Sequence, residues 1–246
     1  MSEFAEYRAW KNWDEGTFGD CNSAAARYFA VEFAMAKIEI DAKLSILEIG
    51  FGNGSLASWA LARGWHYVGI EIDPELVTRA RAAGFEVYGA ETSVDTITAG
   101  ENFDLIVAFD VIEHLMMAEI IALFQSIRRR LKPTGRFIAR FPSGDSPFSS
   151  AIQNGDMTHR SKIGSGIIQQ LCIMTDLLPL QVRAPAFPIR GLGIKRAIRR
   201  AAVRAARAFV GKFLRLMYFD NQQRVADPNM LVVLGLASKK ISEQGP

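Results

Sequence analysis

Residues 46–55 read Ile46-Leu-Glu-Ile-Gly-Phe-Gly-Asn-Gly-Ser55, an apolar run that leads into three alternating glycines. The run Leu44–Ile49 has the short, apolar composition of a buried strand, and a helical pattern over Ser55–Arg63 follows the glycines. Glycines at such a junction let the chain turn sharply and let a ligand approach the backbone without a Cβ in the way. The stretch therefore predicts a strand, a ligand-binding turn and a helix in succession.

The spacing of these glycines differs from that of nicotinamide-binding proteins. Their fingerprint is G-x-G-x-x-G, whose third glycine would fall at Ser55 of this chain. An acidic residue, Glu71, nevertheless ends the next apolar run, 19 residues after Gly52. Because a carboxylate at that place can accept hydrogen bonds from both hydroxyls of a ribose, the loop and the acid together indicate a nucleoside-containing ligand.

Apolar runs and helical patterns alternate along the rest of the chain. Strands are predicted over Leu44–Ile49, Tyr67–Ile72, Phe85–Tyr88, Phe103–Phe109, Arg136–Phe141, Leu180–Phe187 and Met230–Ala237. Helices are predicted over Asn22–Lys37, Ser55–Arg63, Pro74–Ala83, Met117–Leu131 and Ser161–Asp176. Such alternation with short connections is typical of an α/β sheet with helices on both faces. We expect one domain, divided into an N-terminal helical lid (1–43), a core (44–188), a basic insertion (189–224), and a last strand with its tail (225–246).

The composition excludes several classes of protein. The 246 residues are 49% hydrophobic and 22% charged, which is ordinary for a globular domain and excludes a disordered or fibrous chain. No uncharged run reaches the roughly 18 residues of a spanning helix, and the acidic start lacks the apolar core of a secretory signal. The two cysteines, Cys21 and Cys172, lack metal-site spacing and favour a reducing, cytoplasmic compartment.

The region 44–141 resembles the class I S-adenosylmethionine-dependent methyltransferases, through the glycine motif and the strand that ends in an acid. The resemblance implies a Rossmann-like, seven-stranded, mostly parallel sheet whose last strand, Met230–Ala237, runs antiparallel. It implies S-adenosylmethionine as the cofactor. The residues that it assigns to that cofactor are Glu48 near the methionine amino group, the loop glycines Gly50, Gly52 and Gly54, Glu71 at the ribose, Ile72 and Glu91 at the adenine, and Asp110 near the methyl group.

Histidine is the side chain whose pKa lies nearest neutrality, so it suits the removal of a proton from a hydroxyl acceptor. His114 follows the predicted strand Phe103–Phe109, and His159 lies beyond the strand Arg136–Phe141, at the same edge of the sheet. Asp156 could orient His159 at a spacing of three residues. We expect His114, His159 and Asp156 to be catalytic. The alternative is that Asp156 caps a helix that begins near Arg160 while His159 only packs.

A divalent metal is a further possibility at this edge. Some RNA 2′-hydroxyl methyltransferases, to which the chain is similar, hold magnesium with a cluster such as Asp110, Glu113, His114 and His159. Here the first position is Asp rather than Glu, and magnesium prefers oxygen ligands. A metal is therefore open at the sequence level, and the simpler expectation is a metal-free base.

Aromatic residues precede the glycine loop. Trp10, Trp13, Phe18 and Tyr28 fall in the segment that often forms a lid over cofactor and acceptor in the family that the chain resembles. Such rings could stack on a ligand, and the alternative is that they pack an N-terminal helix on the sheet.

The segment 189–224 carries ten of the chain's Lys and Arg residues and one acid, Asp220, for a net charge of +9. The rest of the chain carries −6. At 100° per residue, Ile194, Ile198, Phe209 and Leu216 fall in one apolar stripe. We expect this insertion to lie on an anionic membrane surface, and the alternative is that the stripe packs on the sheet edge or on a second subunit.

The expected function is methylation of a hydroxyl on a small molecule, a sugar or a lipid-linked acceptor. We expect a cytoplasmic protein that is peripheral on the inner membrane face. Two alternatives are an RNA methyltransferase, whose phosphate contacts would come from the basic insertion, and a non-enzymatic cofactor-binding protein of the same fold. Against RNA, the acidic body of the chain offers no continuous positive track.

Overall fold

The carboxyl ends of six parallel strands meet at one edge of a single sheet. The computed structural model describes residues 3–13, 18–97, 101–189, 191–219 and 224–237. Its strands are β1 Ser45–Ile49, β2 His66–Ile70, β3 Val87–Tyr88, β4 Phe103–Phe109, β5 Leu131–Pro142, β6 Leu177–Arg183 and β7 Asn229–Leu236. Its helices are α1 Glu3–Lys11, α2 Ser23–Met35, α3 Ser55–Leu61, α4 Pro74–Ala82, α5 Met117–Arg130, α6 Ser150–Gln153, α7 Ser165–Thr175 and α8 Ile194–Tyr218.

The sheet has the order β3-β2-β1-β4-β5-β7-β6. β1 pairs in parallel with both β2 and β4, so the strand order reverses at β1 and opens a crevice beyond its carboxyl end. β7 is antiparallel to both of its neighbours, β5 and β6. This is the predicted Rossmann-like architecture, with a mostly parallel sheet and an antiparallel last strand.

Helices cover both faces of the sheet. On one face, α5 and α7 bury Phe124, Ile127 and Ile168 against the strands. On the other face, α2, α3 and α4 bury Phe33 and Trp59 together with their neighbours. α8 belongs to neither layer, because none of its residues is buried. None of the described helices combines the length and the apolar character that crossing a bilayer requires.

Local signals set several boundaries as predicted. The side chain of Asn22 accepts hydrogen bonds from the amides of Ala24 and Ala25 and so caps α2. Pro74 occupies the first turn of α4, where its missing N–H costs nothing, and Asp73 caps that helix. The predicted strand Phe103–Phe109 has the bounds of β4.

Several predicted boundaries are wrong. Strand β5 begins at Leu131 rather than at Arg136, and β6 begins at Leu177 rather than at Leu180. Two further differences have identifiable reasons. Strand β6 ends at Arg183 rather than at Phe187, because Pro185 and Pro188 cannot donate to a ladder. Helix α7 begins at Ser165 rather than at Ser161, because the Ser161 hydroxyl bonds Leu115 O in another loop. Of the predicted basic insertion, Arg190 and Asp220 lie outside the described residues, as does the tail after Ala237.

Candidate active site

The glycine loop follows β1 and needs glycine at all three positions. Gly50, Gly52 and Gly54 have φ angles of 72°, 53° and 76°, a left-handed conformation that side chains with a Cβ rarely adopt. A Cβ at Gly50 would also lie 2.5 Å from a methyl group of Val111. The loop is thus a tight turn above the crevice, as its sequence predicts.

The segment around α1 lies against this loop. A Cβ at Gly52 would lie 3.0 Å from the ring of Trp13, and one at Gly54 would lie 2.5 Å from the ring of Phe18. Arg8 fixes the segment through an ion pair of 2.7 Å with Asp73, beyond the end of β2. The N-terminal aromatic residues therefore face the backbone of the predicted cofactor loop.

Glu71 stands at the carboxyl end of β2 and is buried. Its Oε2 accepts a hydrogen bond from the amide of Gly52 at 2.9 Å, and its Oε1 accepts from the amides of Ile72 and Asp73. A carboxylate has about four lone-pair sites. These three hydrogen bonds use three of them, so one site remains for a ligand. The neighbouring Ile72 side chain is 62% exposed, which leaves an apolar surface beside that site.

Glu48 and Glu91 are the other two acids that the resemblance assigns to the cofactor. Glu48 is buried below the glycine loop, where its Oε2 accepts a hydrogen bond from the Tyr67 hydroxyl at 2.7 Å. Burial raises the pKa of Glu48 to about 8. Glu91 is exposed in the turn that follows β3. The predicted contacts of both acids with the cofactor stay predictions.

Asp110 ends β4 in a left-handed conformation, with φ of 56°. Its carboxylate is gripped by Arg140 of β5 through two contacts, one of them Nε to Oδ1 at 3.0 Å. The Arg140 guanidinium also lies over the rings of Tyr28 and Phe109, at 5.3 and 5.0 Å from their centroids. The predicted residue near the methyl group is therefore part of an ion pair.

A cavity of about 400 Å³ opens beside Asp110, at the carboxyl ends of β4 and β5. Its volume is within the range of sites for small molecules. Its wall comes from several distant parts of the chain and includes Lys11, Tyr28, Arg140, His159, Phe187 and Arg207.

Two loops meet at the floor of this cavity. The carbonyl oxygen of Glu113, in the turn after β4, accepts hydrogen bonds from the amides of Arg160 at 2.8 Å and Ser161 at 3.0 Å. These bonds bring His114 of the first loop against His159 of the second loop. The structure therefore brings the three predicted catalytic residues together.

Thr158 connects Asp156 to His114. Its hydroxyl lies 2.5 Å from Asp156 Oδ1 and 2.9 Å from His114 Nδ1. When that hydroxyl donates to the carboxylate, His114 Nδ1 must carry a proton and donate to the hydroxyl oxygen. The contact thus leaves His114 Nε2 with a free lone pair.

The ring of His159, like that of His114, is held through its Nδ1. Its Nδ1 lies 3.0 Å from the carbonyl oxygen of Gln153, which can only accept, so Nδ1 is the protonated nitrogen. Its Nε2 lies 3.8 Å from Asp156 Oδ2 and 3.9 Å from Glu113 Oε1. His159, unlike His114, belongs to the wall of the cavity.

The two carboxyl groups beside His159 differ in pKa. Burial, with the nearby Asp110 carboxylate, raises the pKa of Glu113 to about 8. Burial also opposes ionisation of Asp156, but hydrogen bonds from Thr158 outweigh it and lower the pKa of Asp156. Burial and the neighbouring His159 lower the pKa of His114. At neutral pH the site therefore contains an ionised Asp156, a protonated Glu113 and a neutral His114.

The alternative role of Asp156 as a helix cap is wrong. No helix begins near Arg160 in the described structure, and the Asp156 carboxylate instead bonds the amide and hydroxyl of Thr158. Of the four metal-ligand candidates, the structure groups Glu113, His114 and His159, whose ligand atoms lie within 4.8 Å of one another. Asp110 is outside that group because Arg140 holds it.

Sequence reasoning missed several residues of this site. Thr158 belongs to an Asp-x-Thr-His loop that is reminiscent of bacterial methyltransferases, but the sequence predicts no role for its hydroxyl. Tyr7 and Lys11 reach the site from α1, and Lys11 Nζ lies 3.8 Å from Asp156 Oδ2. Burial and nearby carboxylates raise the pKa of Tyr7, so its hydroxyl stays protonated. Only the contact between α1 and the core reveals these two residues.

Comparison with known proteins identifies a family with a similar sequence. Residues 47–137, from β1 into β5, match the family model described as a methyltransferase domain. This part of the chain is similar to methyltransferase domains. Ubiquinone biosynthesis O-methyltransferases are also similar to part of the chain. The protein of a Methylobacterium species is 32% identical over 103 residues, and that of Cereibacter sphaeroides is 32% identical over 100 residues.

The similarity to these relatives is partial. It covers 40% of this chain and 41% of the Methylobacterium protein, and 39% and 40% for the Cereibacter protein. The chain thus spans about two fifths of the length of the curated relatives that it matches.

Solved structures share the fold over nearly the whole of this chain. An S-adenosylmethionine-dependent methyltransferase from Archaeoglobus fulgidus superposes with a TM-score of 0.61 at 10% identity and covers 95% of this chain and 99% of its own. One from Mesorhizobium loti gives a TM-score of 0.53 at 17% identity and covers 85% of this chain and 97% of its own. These matches establish the fold beyond the segment that the family model covers.

Proposed function

We propose that this methyltransferase domain transfers a methyl group from S-adenosylmethionine to a hydroxyl oxygen of a small molecule, including sugars and lipid-linked acceptors. The observation that carries the proposal is the place of His159 in the cavity wall, with its Nδ1 against the Gln153 carbonyl and its Nε2 3.8 Å from Asp156 Oδ2. The small-molecule hydroxyl as acceptor is supported by the O-methyltransferases that the chain resembles. We further propose a cytoplasmic protein that binds the inner membrane face peripherally.

The residues around the glycine loop fit the cofactor. Gly50, Gly52 and Gly54 carry no Cβ, Glu71 retains a lone-pair site, and Ile72 offers an exposed apolar face. Glu71 would bind the ribose, Ile72 would flank the adenine, and Trp13 would cover the loop. When bound, S-adenosylmethionine supplies an electrophilic methyl group.

The chain's own residues then handle the proton. As the acceptor oxygen forms its bond to carbon, its proton passes to His159 Nε2, which becomes an imidazolium. Asp156 balances that charge from 3.8 Å, while the protonated Glu113 adds no second negative charge. The Gln153 carbonyl holds the ring in the required orientation throughout.

Calorimetry of the purified chain tests the cofactor assignment. We expect S-adenosylmethionine and its demethylated product to bind with Kd values in the micromolar range, about −8 kcal/mol. Glu71→Ala should weaken both by at least about tenfold, because it removes hydrogen bonds to an ionised group. A heat signal with a nicotinamide cofactor and none with S-adenosylmethionine would end the methyltransferase assignment.

A second experiment identifies the acceptor class. The chain is incubated with S-adenosylmethionine bearing a labelled methyl group and with separated water-soluble, lipid and RNA fractions of a bacterial extract. We expect label in a small molecule of the water-soluble or lipid fraction, in a linkage stable to base as an ether is. Label confined to RNA would favour the RNA methyltransferase, and label in no fraction would favour a non-enzymatic protein.

A further inference from the structure

Helix α8 touches the body of the protein with one side only. The guanidinium groups of Arg200 and Arg207 lie over the ring of Phe187, at 4.5 and 5.0 Å from its centroid. Arg200 also donates to the carbonyl of Pro188, and Arg207 forms an ion pair of 3.1 Å with Asp227. These arginines fall on one side of the helix at 100° per residue, so that side is the attached one.

The opposite side of α8 is apolar apart from Lys212 and faces solvent. Ile194 is 78% exposed, Ile198 66%, Phe209 72% and Leu216 61%. All four lie within about 60° of one another around the helix, roughly 120° or more from the attached side. The expectation that this stripe packs on the sheet edge is therefore wrong for the described structure. An exposed apolar face of this length marks an interaction surface.

The charges around the stripe indicate what covers it. α8 contains eight Lys and Arg residues and no acid in its 25 residues. Four of the eight cations are exposed and lie beside the stripe or within it at 100° per residue, namely Lys195, Arg199, Arg204 and Lys212. Long basic side chains beside an apolar stripe can bend toward phosphates while the stripe enters the lipid. Two copies of the same helix would instead bring like charges together, which disfavours a dimer through this face.

We propose that α8 docks this protein on an anionic lipid bilayer, with its apolar stripe buried among the lipids and its attached side turned toward the acceptor cavity. Arg207 belongs both to the attached side of α8 and to the wall of the cavity. Because a helix is about 10 Å across, docking would hold the cavity roughly one helix diameter from the membrane surface. A lipid-linked acceptor could then present its hydroxyl to His159 while its apolar part stays in the bilayer. That last step rests on the proposed O-methyltransferase function, whereas the docking itself does not.

Co-sedimentation of the full chain with vesicles tests the docking. We expect binding to vesicles that contain phosphatidylglycerol, weak binding to pure phosphatidylcholine, and loss of binding at high salt. The variant Lys195→Glu/Arg199→Glu/Arg204→Glu should lower partition into anionic vesicles by about a hundredfold, since each basic residue contributes about fivefold. The variant Phe209→Ser/Leu216→Ser should lower it while leaving the charge unchanged.

Matched controls separate docking from folding and from catalysis. Ile173→Ser removes an apolar side chain that is 81% exposed on α7, away from α8, and should leave vesicle binding unchanged. All variants should keep the parent's affinity for S-adenosylhomocysteine in calorimetry, so failed docking and failed cofactor binding give different results. The proposal is overturned when the parent chain stays in the supernatant with anionic vesicles at low salt. It is also overturned if the Phe209→Ser/Leu216→Ser variant abolishes a dimer in sedimentation velocity without changing vesicle binding.

Discussion

His114 and His159 lie edge to face, with ring centroids 4.7 Å apart and ring planes at 67°. Each ring has its Nδ1 committed to a partner, the Thr158 hydroxyl for His114 and the Gln153 carbonyl for His159. Both rings therefore present a basic Nε2, but only His159 borders the cavity. This asymmetry assigns proton acceptance to His159 and a supporting role to His114.

The histidine assignment predicts an ordered loss of activity. His159→Ala should lower kcat by about 10²–10⁴-fold, because it removes the proton acceptor, and should leave the cofactor Kd unchanged. His114→Ala should lower kcat less, since its ring acts by contact with His159. Turnover assays and calorimetry on both variants measure these effects.

The third histidine supplies the control. His66 lies at the start of β2, at the opposite edge of the sheet from the carboxyl ends of the strands. Its Nε2 lies 3.4 Å from Glu86 Oε2. His66→Ala should therefore keep full activity. A parallel fall of kcat and cofactor affinity in His159→Ala would show that the residue is structural.

Thr158 should matter for orientation rather than for binding. Thr158→Val keeps the shape of the side chain but breaks the connection between Asp156 and His114, so kcat should fall by about tenfold. Because the variant also removes a hydrogen bond that lowers the pKa of Asp156, the acidic limb of the pH–rate profile should move to higher pH. Thr158→Ser should restore both values, and a serine variant as impaired as the valine variant would contradict the role of the hydroxyl.

A chelator distinguishes a free base from a metal site. The donor set that the structure groups has one carboxylate and two imidazoles, and Asp110, the expected further oxygen ligand, is held by Arg140. We therefore expect the reaction to continue in EDTA, with the initial rate unchanged. If activity were lost in EDTA and restored by manganese or magnesium, the mechanism would use a metal-bound acceptor instead of a free base. In that case Arg140→Ala, which releases the Asp110 carboxylate, should raise the affinity for the metal.

The parallel sheet and the cofactor loop could be predicted because their signals are local. The apolar run before Gly50, the glycine spacing and the acid at Glu71 all lie in contiguous segments, so the sequence alone indicates their positions. His114 and His159 could be placed at the same edge for the same reason, since each follows a predicted parallel strand.

Contacts between distant segments could not be predicted. The ion pair between Asp110 and Arg140 crosses from β4 to β5, and its formation depends on side-chain directions that no local pattern contains. The approach of Trp13 to Gly52 likewise depends on how α1 returns across the crevice. The orientation of α8 was underdetermined as well, because an apolar stripe predicts a buried face without naming its partner.

Because of Glu48, the free energy of unfolding should decrease as the pH rises. Its pKa is about 8 in the folded chain because it is buried, and near 4.5 when the chain is unfolded. Between these values the native state holds a proton that the unfolded state has released, so the free energy of unfolding decreases with increasing pH. Below a pH of 4.5 Glu48 is protonated in both the folded and the unfolded chain, and its contribution to the free energy of unfolding is fully present.

The variant Glu48→Gln isolates this effect, because an amide imitates the neutral acid and can still accept the hydrogen bond from Tyr67. We expect its unfolding free energy to match the parent's near pH 5 and to exceed it by about 1–3 kcal/mol near pH 8. Urea unfolding at several pH values measures the difference. Glu39→Gln, at an exposed position, should follow the parent at every pH. A Glu48→Gln variant that is less stable than the parent at both ends of the range would mean that Glu48 is ionised in the native state.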